Sequence, residues 1–107
     1  MPIPVADVAA SFQAAVVDVL VAKTVAAAEQ EGLTTIALAG GVAANRGLRT
    51  ALAQACERRG WRLSLPPFDL CTDNAAMIAG LGHELYMAGV RSPLDLPPRS
   101  RLALGAG

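Results

Sequence analysis

The segment that most constrains the fold is a short apolar run that ends in two consecutive glycines. Residues 34–39 read Thr-Thr-Ile-Ala-Leu-Ala and are followed at once by Gly40 and Gly41. A partly β-branched run of this length is typical of a strand buried on both faces of a parallel sheet. The glycines break the strand, and a helical pattern then runs from about Ala44 or Asn45 to Arg59. The segment therefore predicts a strand, a glycine turn and a helix in that order.

The remaining periodicity places this unit within a longer alternation of helices and strands. Apolar residues recur every three or four positions over about Asp7–Gln30, residues 61–65 alternate, and a third helix is predicted over about Asn74–Ala88. A strand, a helix and a second strand in one sheet form a right-handed crossover with parallel strands. The sequence thus predicts an α/β fold, helix-strand-helix-strand-helix with a small parallel sheet. Residues 1–90 are the predicted domain, and residues 91–107 are a predicted extended tail.

The composition indicates more apolar surface than so short a chain can bury. The chain has 107 residues, which is one domain at most, and 53% of them are hydrophobic. Only 17% are charged, against about 25% in typical soluble domains. We therefore expect another segment or a partner to cover part of its apolar surface.

We expect no export signal, a cytoplasmic location and no membrane contact. Asp18 and Lys23 interrupt the most apolar stretch, and no basic region precedes an apolar one at the N-terminus. Cys56 and Cys71 form no C-x-x-C pair, so we expect two free, core-like thiols in a reducing compartment.

The formal net charge of zero excludes a global positive field that would attract nucleic acid. Five arginines are nevertheless close together in the sequence: Arg46, Arg49, Arg58, Arg59 and Arg62. Two interpretations stay open for this stretch. It is either an ordinary solvated helix face or a local patch that binds an anion or faces RNA.

The glycine turn is the first loop that could carry chemistry. Gly40 and Gly41 let a ligand approach the backbone closely, and amides at a helix start favour negative charge. Asn45 adds both donors and acceptors, which suit a ribose, a base edge or a carbamoyl group. An ordinary strand-to-helix turn with a capping Asn is an equally good interpretation.

The second such loop is residues 71–74, between the second strand and the third helix. Asp73 either caps that helix or holds a metal ion with an open coordination position. Both loops follow neighbouring parallel strands, so we expect them to lie side by side, with a nucleotide at one and a metal at the other. His83 is the only histidine, and we interpret it as a partly exposed helical residue.

Four segments together resemble successive motifs of one family. They are residues 9–16 (Ala-Ala-Ser-Phe-Gln-Ala-Ala-Val), 39–45 (Ala-Gly-Gly-Val-Ala-Ala-Asn), 71–79 (Cys-Thr-Asp-Asn-Ala-Ala-Met-Ile-Ala) and 91–96 (Arg-Ser-Pro-Leu-Asp-Leu). They resemble the C-terminal part of the bacterial tRNA threonylcarbamoyladenosine transferase family (TsaD, also labelled Gcp or O-sialoglycoprotein endopeptidase). The Cys-Thr-Asp-Asn-Ala-Ala-Met block is the most specific of these motifs.

The resemblance implies a partial lobe of the actin-like (ASKHA, ribonuclease H-like) fold. It implies transfer of threonylcarbamoyl from threonylcarbamoyl-AMP to the N6 amine of the adenosine 3′ of the tRNA anticodon. Asn45 would contact the adenylate substrate or ATP, and Gly40 and Gly41 match the adenosine-side loop. Asp73 matches a ligand of the catalytic iron or a similar divalent metal. TsaB-like and TsaE-like proteins and tRNA are the implied partners.

Other parts of the family pattern are missing from this sequence, among them the first lobe and its His-x-x-x-His metal pair. We therefore expect no independent transfer activity, and we assign no catalytic residue. One alternative is a non-catalytic interaction module that self-associates, or pairs with another chain, through exposed sheet edges. Another is a fragment of a related ATP-binding kinase, which the Cys-Thr-Asp-Asn block disfavours.

Overall fold

A computed structural model describes residues 2–105, and the chain divides into two compact units, Met1–Asp73 and Asn74–Gly107. The first unit contains α1 (Val5–Glu31), β1 (Thr35–Ala37), a 3-10 helix (Gly41–Ala44), α2 (Arg46–Glu57), β2 (Arg62–Ser64) and a second 3-10 helix (Phe68–Leu70). The second unit contains α3 (Ala75–Met87). The predicted order of helices and strands is confirmed. The predicted domain boundary between residues 90 and 91 stays a prediction.

The two strands form the parallel pair that the crossover predicts. Thr35, Ile36 and Ala37 lie opposite residues 62, 63 and 64, and β1-β2 is a two-stranded sheet. The prediction that β1 is buried on both faces is wrong, because only Ile36 of β1 is even half-buried. A sheet of two strands has no third strand and no second layer to cover its outer surface.

Helix α1 begins after Pro4 and carries Asp7 in its first turn. It ends at Gly32, whose φ of 65° is the left-handed conformation expected of a glycine stop. Only Val25 and Ala28 of this helix are buried. The first half of α1 is therefore mostly an exposed apolar surface, with Phe12 71% exposed.

Helix α1 is also long and apolar enough to cross a membrane by length and composition alone, with a mean hydropathy of 1.7 in its most apolar window. The expectation that Asp18 and Lys23 rule this out is too strict. The finding is weak evidence for a span, because core helices and N-terminal signal sequences pass the same test.

The core of the first unit lies along α2. Leu48, Leu52, Ala55 and Cys56 point from one face of this helix and are each at most 3% exposed. Their spacing of three and four residues is that of a single helical stripe. Cys56 and Cys71 are both buried free thiols, as predicted.

The second unit has no buried residue in its helix. Asn74 caps α3, and its Oδ1 accepts a hydrogen bond of 2.9 Å from the Met77 N–H. The apolar side chains of α3 remain exposed, for example Ile78 at 64%. Residues 91–105 contain neither helix nor strand. The extended tail stays a prediction.

Candidate functional site

The first loop is built on a backbone conformation that requires glycine. Gly40 has φ 87° and ψ −179°, a combination open almost only to a residue without Cβ. The Ala43 N–H donates to the Gly40 carbonyl at 3.0 Å and closes the turn. An added Cβ at Gly40 or Gly41 would meet no atom within 4 Å. The backbone angles of Gly40 therefore explain why position 40 requires glycine. Lack of space is not the reason, because the surroundings of both glycines are open.

Asn45 uses both ends of its side-chain amide. Its Oδ1 accepts a hydrogen bond of 2.9 Å from the Leu48 N–H and so caps α2. Its Nδ2 donates to Oε1 of Gln13 on α1 at 3.4 Å. An added Cβ at Gly47 would come within 3.2 Å of both side chains, so the small residue leaves them room. The capping interpretation of Asn45 is confirmed, and its amide also joins two helices.

A groove of about 590 Å³ opens beside this loop, between the first half of α1 and the start of α2. We call it the α1–α2 groove. Most of its lining side chains are apolar, and Gln13 and Asn45 supply the amides. Its lining residues are Ala9, Phe12, Gln13, Val16, Val17, Leu20, Gly41, Val42, Asn45 and Leu48. A few amides in an apolar groove match the usual make-up of small-molecule sites.

The second loop presents Asp73 as an exposed residue at the end of the first unit. Asp73 is not the cap of α3, because Asn74 occupies that position. The prediction that Asp73 caps the third helix is therefore wrong by one residue. Asn is as good a cap as Asp, so the sequence alone does not choose between two adjacent candidates.

Arg49 joins the two loops. Its Nε donates to the carbonyl of Ala43, in the first 3-10 helix. Its Nη2 donates to the Pro66 carbonyl at 2.6 Å and to Sγ of Cys71 at 3.2 Å. Its guanidinium also stands 4.0 Å from the centre of the Phe68 ring. The loops are thus neighbours, as their positions after parallel strands predict.

The sequence does not predict this role, because Arg49 is one of five arginines that are close together in the chain. Arg59 is separate from Arg49, since it pairs with Glu29 at 3.0 Å. Arg46 lies over the same Phe68 ring as Arg49, but at the longer distance of 5.5 Å from the ring centre. The signal that could have found Arg49 is its place one turn after the capping Asn45, on the half-buried side of α2.

The described part of the chain contains no complete site for a metal ion. Among residues 2–105 no group of three or more His, Cys, Asp and Glu side chains could hold an ion. Sγ of Cys71 contacts Arg49 and also donates to the Pro67 carbonyl at 3.5 Å. His83 lies in α3 as an exposed residue, in agreement with its interpretation. Asp73 alone is too few ligands for a metal centre.

Comparison with known proteins assigns the family. A family model described as tRNA N6-adenosine threonylcarbamoyltransferase matches residues 2–80. The chain belongs to this family. The matched region contains the first loop, the second loop and the start of α3.

Curated relatives of the same description are closely similar over most of this chain. A tRNA N6-adenosine threonylcarbamoyltransferase of Sorangium cellulosum is 57% identical over 98 residues, which are 92% of this chain and 28% of the relative. That of Symbiobacterium thermophilum is 58% identical over 102 residues, 95% of this chain and 30% of the relative. That of Geobacillus thermodenitrificans is 58% identical over 97 residues, 90% of this chain and 28% of the relative. The chain therefore spans under a third of the length of these transferases.

Proposed function

We propose that this chain forms the nucleotide-side part of a tRNA adenosine threonylcarbamoyltransferase. The reaction would move threonylcarbamoyl from threonylcarbamoyl-AMP to the N6 amine of the adenosine 3′ of the anticodon. Gly40, Gly41 and Asn45 would bind the adenylate. The chain would act with the remainder of such an enzyme, in the cytoplasm, and not by itself.

The observation that carries the proposal is the pairing of a glycine-only turn with the half-buried amide of Asn45 beside the α1–α2 groove. A turn without side chains lets a ligand reach the backbone, and the start of α2 favours an anionic group. Membership of the threonylcarbamoyltransferase family supports a substrate for this geometry, and we propose that the substrate is the adenylate threonylcarbamoyl-AMP.

Asp73 would contribute one oxygen ligand to a divalent metal such as iron, with the other ligands supplied from outside this chain. Its exposed carboxylate, joined through the second loop to the first, is suited to such a shared site. When bound, such a metal would act as a Lewis acid toward the substrate carbonyl. TsaB-like and TsaE-like proteins and tRNA would be the partners of the whole enzyme.

Calorimetric titration of the chain with ATP and with a stable threonylcarbamoyl-AMP analogue tests the binding part. Asn45→Ser keeps a capping oxygen but removes the amide donor, so it should abolish binding without unfolding α2. Asn74→Ser, the same change at the cap of α3, is the matched control and should bind as the parent does. Equal affinity in all three proteins would contradict the role of Asn45.

A chimera tests the transfer itself. The 102 aligned residues of the Symbiobacterium thermophilum relative would be replaced by those of this chain. We expect the chimera to modify tRNA and Asp73→Ala to remove that activity, with Asp69→Ala as an exposed acidic control. A folded but inactive chimera would contradict the proposal.

The exposed apolar surface supports a second candidate, a non-catalytic module that self-associates. Val8, Phe12 and Val19 on α1 are each more than half exposed. Sedimentation equilibrium distinguishes the two functions. A stable dimer that binds neither nucleotide favours the module, and a nucleotide-binding monomer favours the transferase part. The same measurement would also detect a dimer that forms through the open edges of the β1-β2 sheet.

A further inference from the structure

Arg49 is placed as a bridge between chain segments that are far apart in sequence. Its partners lie 6, 17 and 22 residues away along the chain. All of its hydrogen-bond acceptors here are neutral, two carbonyl oxygens and a thiol. The Phe68 ring adds a neutral aromatic face at 4.0 Å. The guanidinium therefore holds neutral groups of different loop segments together, because its N–H donors point in several directions.

The shape of the contact requires a guanidinium. Nε and Nη2 point in different directions, so one side chain reaches Ala43 in the first loop and Cys71 in the second at the same time. The planar group also stacks on Phe68, which an ammonium does poorly. A Lys at this position would keep the charge, but its single nitrogen could not span both loops.

The bridge sits between the residues of the proposed site. Ala43, which accepts from Nε, lies in the 3-10 helix between Gly40 and Asn45. Cys71, which accepts from Nη2, lies two residues before Asp73 and is 4% exposed. Any movement of the second loop away from the first must break at least one of these contacts.

We infer that Arg49 is a positioning residue that fastens the second loop to the first and so fixes Asp73 relative to the nucleotide loop. The inference rests on the proposed function for its consequence, but the fastening is a property of the chain itself. Arg49 need not touch the substrate. It holds in one arrangement the two backbone segments that would.

Alkylation of the two cysteines with iodoacetamide, resolved by mass spectrometry, measures the fastening directly. Arg49→Lys should raise the rate at Cys71 by about tenfold or more, since each lost hydrogen bond of a charged group favours opening of the loop. The retained positive charge means that the rate reports access to sulfur. Cys56, buried on α2, should keep its rate, because only global unfolding would expose it. Arg58→Lys is the matched control at an exposed position and should change neither rate.

Titration with ATP on the same proteins measures the consequence. We expect Arg49→Lys to weaken ATP binding about tenfold or more, while Arg58→Lys binds as the parent does. An unchanged rate at Cys71 would overturn the fastening, and so would equal increases at Cys71 and Cys56. Faster alkylation of Cys71 with unchanged ATP affinity would overturn the positioning role. If the parent chain binds no ATP, the proposed function fails, whereas the alkylation rates still decide the fastening.

Discussion

Helices α2 and α3 begin in the same way but differ in what they bury. Each follows an extended Asn whose Oδ1 accepts a 2.9 Å hydrogen bond from the backbone N–H three residues on. Their lengths are 12 and 13 residues. Four residues of α2 are buried, whereas α3 has none. A cap is thus a local property, while burial depends on the surface that the rest of the protein offers.

The difference bears on function because the candidate site depends on the packed helix. Asn45 caps α2, and Arg49 lies in its first turn, next in sequence to Leu48 of the buried stripe. Packing of Leu48 and Leu52 therefore fixes the direction in which both polar side chains leave the helix. Helix α3 consists mostly of apolar residues, yet none of its side chains is buried in the part of the chain that the structure describes.

We expect the largest difference in stability between the two helices when one leucine of each is truncated to alanine. Leu52→Ala should lower the free energy of unfolding by about 2–5 kcal/mol, because it leaves a cavity at a side chain only 2% exposed. Leu81→Ala should change it by about 0.5 kcal/mol or less, since Leu81 is 59% exposed. Urea unfolding followed by circular dichroism measures both. Similar losses would mean that α3 is packed in solution, and the comparison would break.

The next largest effect on stability is expected from the residues that precede the two helices. Gly40, before α2, has positive φ, whereas no residue from Pro66 to Asn74 does. Gly40→Ala should therefore cost about 1–3 kcal/mol of backbone strain, although its surroundings are open. Gly41→Ala is the matched control, because Gly41 does not have positive φ and should be nearly neutral. Urea midpoints of the two variants decide this, and a harmless Gly40→Ala would remove the argument for a glycine-only turn.

Removal of the two capping side chains should produce a smaller difference in the free energy of unfolding. Asn45→Ala and Asn74→Ala each remove a side-chain acceptor, at a typical cost of about 0.5–2 kcal/mol. We expect the loss of global stability to be larger for Asn45, because α2 carries the core of the first unit. Loss of Asn74 should appear mainly as reduced helicity at 222 nm. A greater global loss from Asn74 than from Asn45 would reverse the order of the two helices.

Much of the fold could be predicted from the sequence because its signals are local. Gly32 ends α1, Gly40 forms the turn before the first 3-10 helix, and Asn45 caps α2, each by a preference of one residue type. The parallel pairing followed from the strand-helix-strand order. Burial of β1 could not be predicted this way. It depends on how many strands surround β1, which no local pattern records.

The same distinction between local signals and contacts formed on folding applies to the candidate site. Gly40, Gly41, Asn45 and Asp73 stand out through motif and position, and the sequence brings their loops together. The roles proposed for them in binding and metal ligation stay predictions. The position of Arg49 one turn after Asn45 could have marked it as a residue beside the site, but its bridging role could not be predicted, because its partners are backbone carbonyls, a thiol and a ring that become neighbours only after folding.

The smallest expected effect concerns the ion pair at the far end of α2. Arg59 Nε and Glu29 Oε1 lie 3.0 Å apart and link α1 to the residues after α2, but the two side chains are 33% and 56% exposed. Glu29→Gln should therefore cost about 0.5 kcal/mol or less, since water and salt screen such pairs. Arg59 also donates to the Ala55 carbonyl at 3.1 Å and lies 5.5 Å from the centre of the Trp61 ring, so it should stay in place. Urea unfolding at low and high salt is the measurement. A loss above about 1 kcal/mol that persists at high salt would mean that α1 depends on this pair, and not on Val25 and Ala28, for its contact with α2.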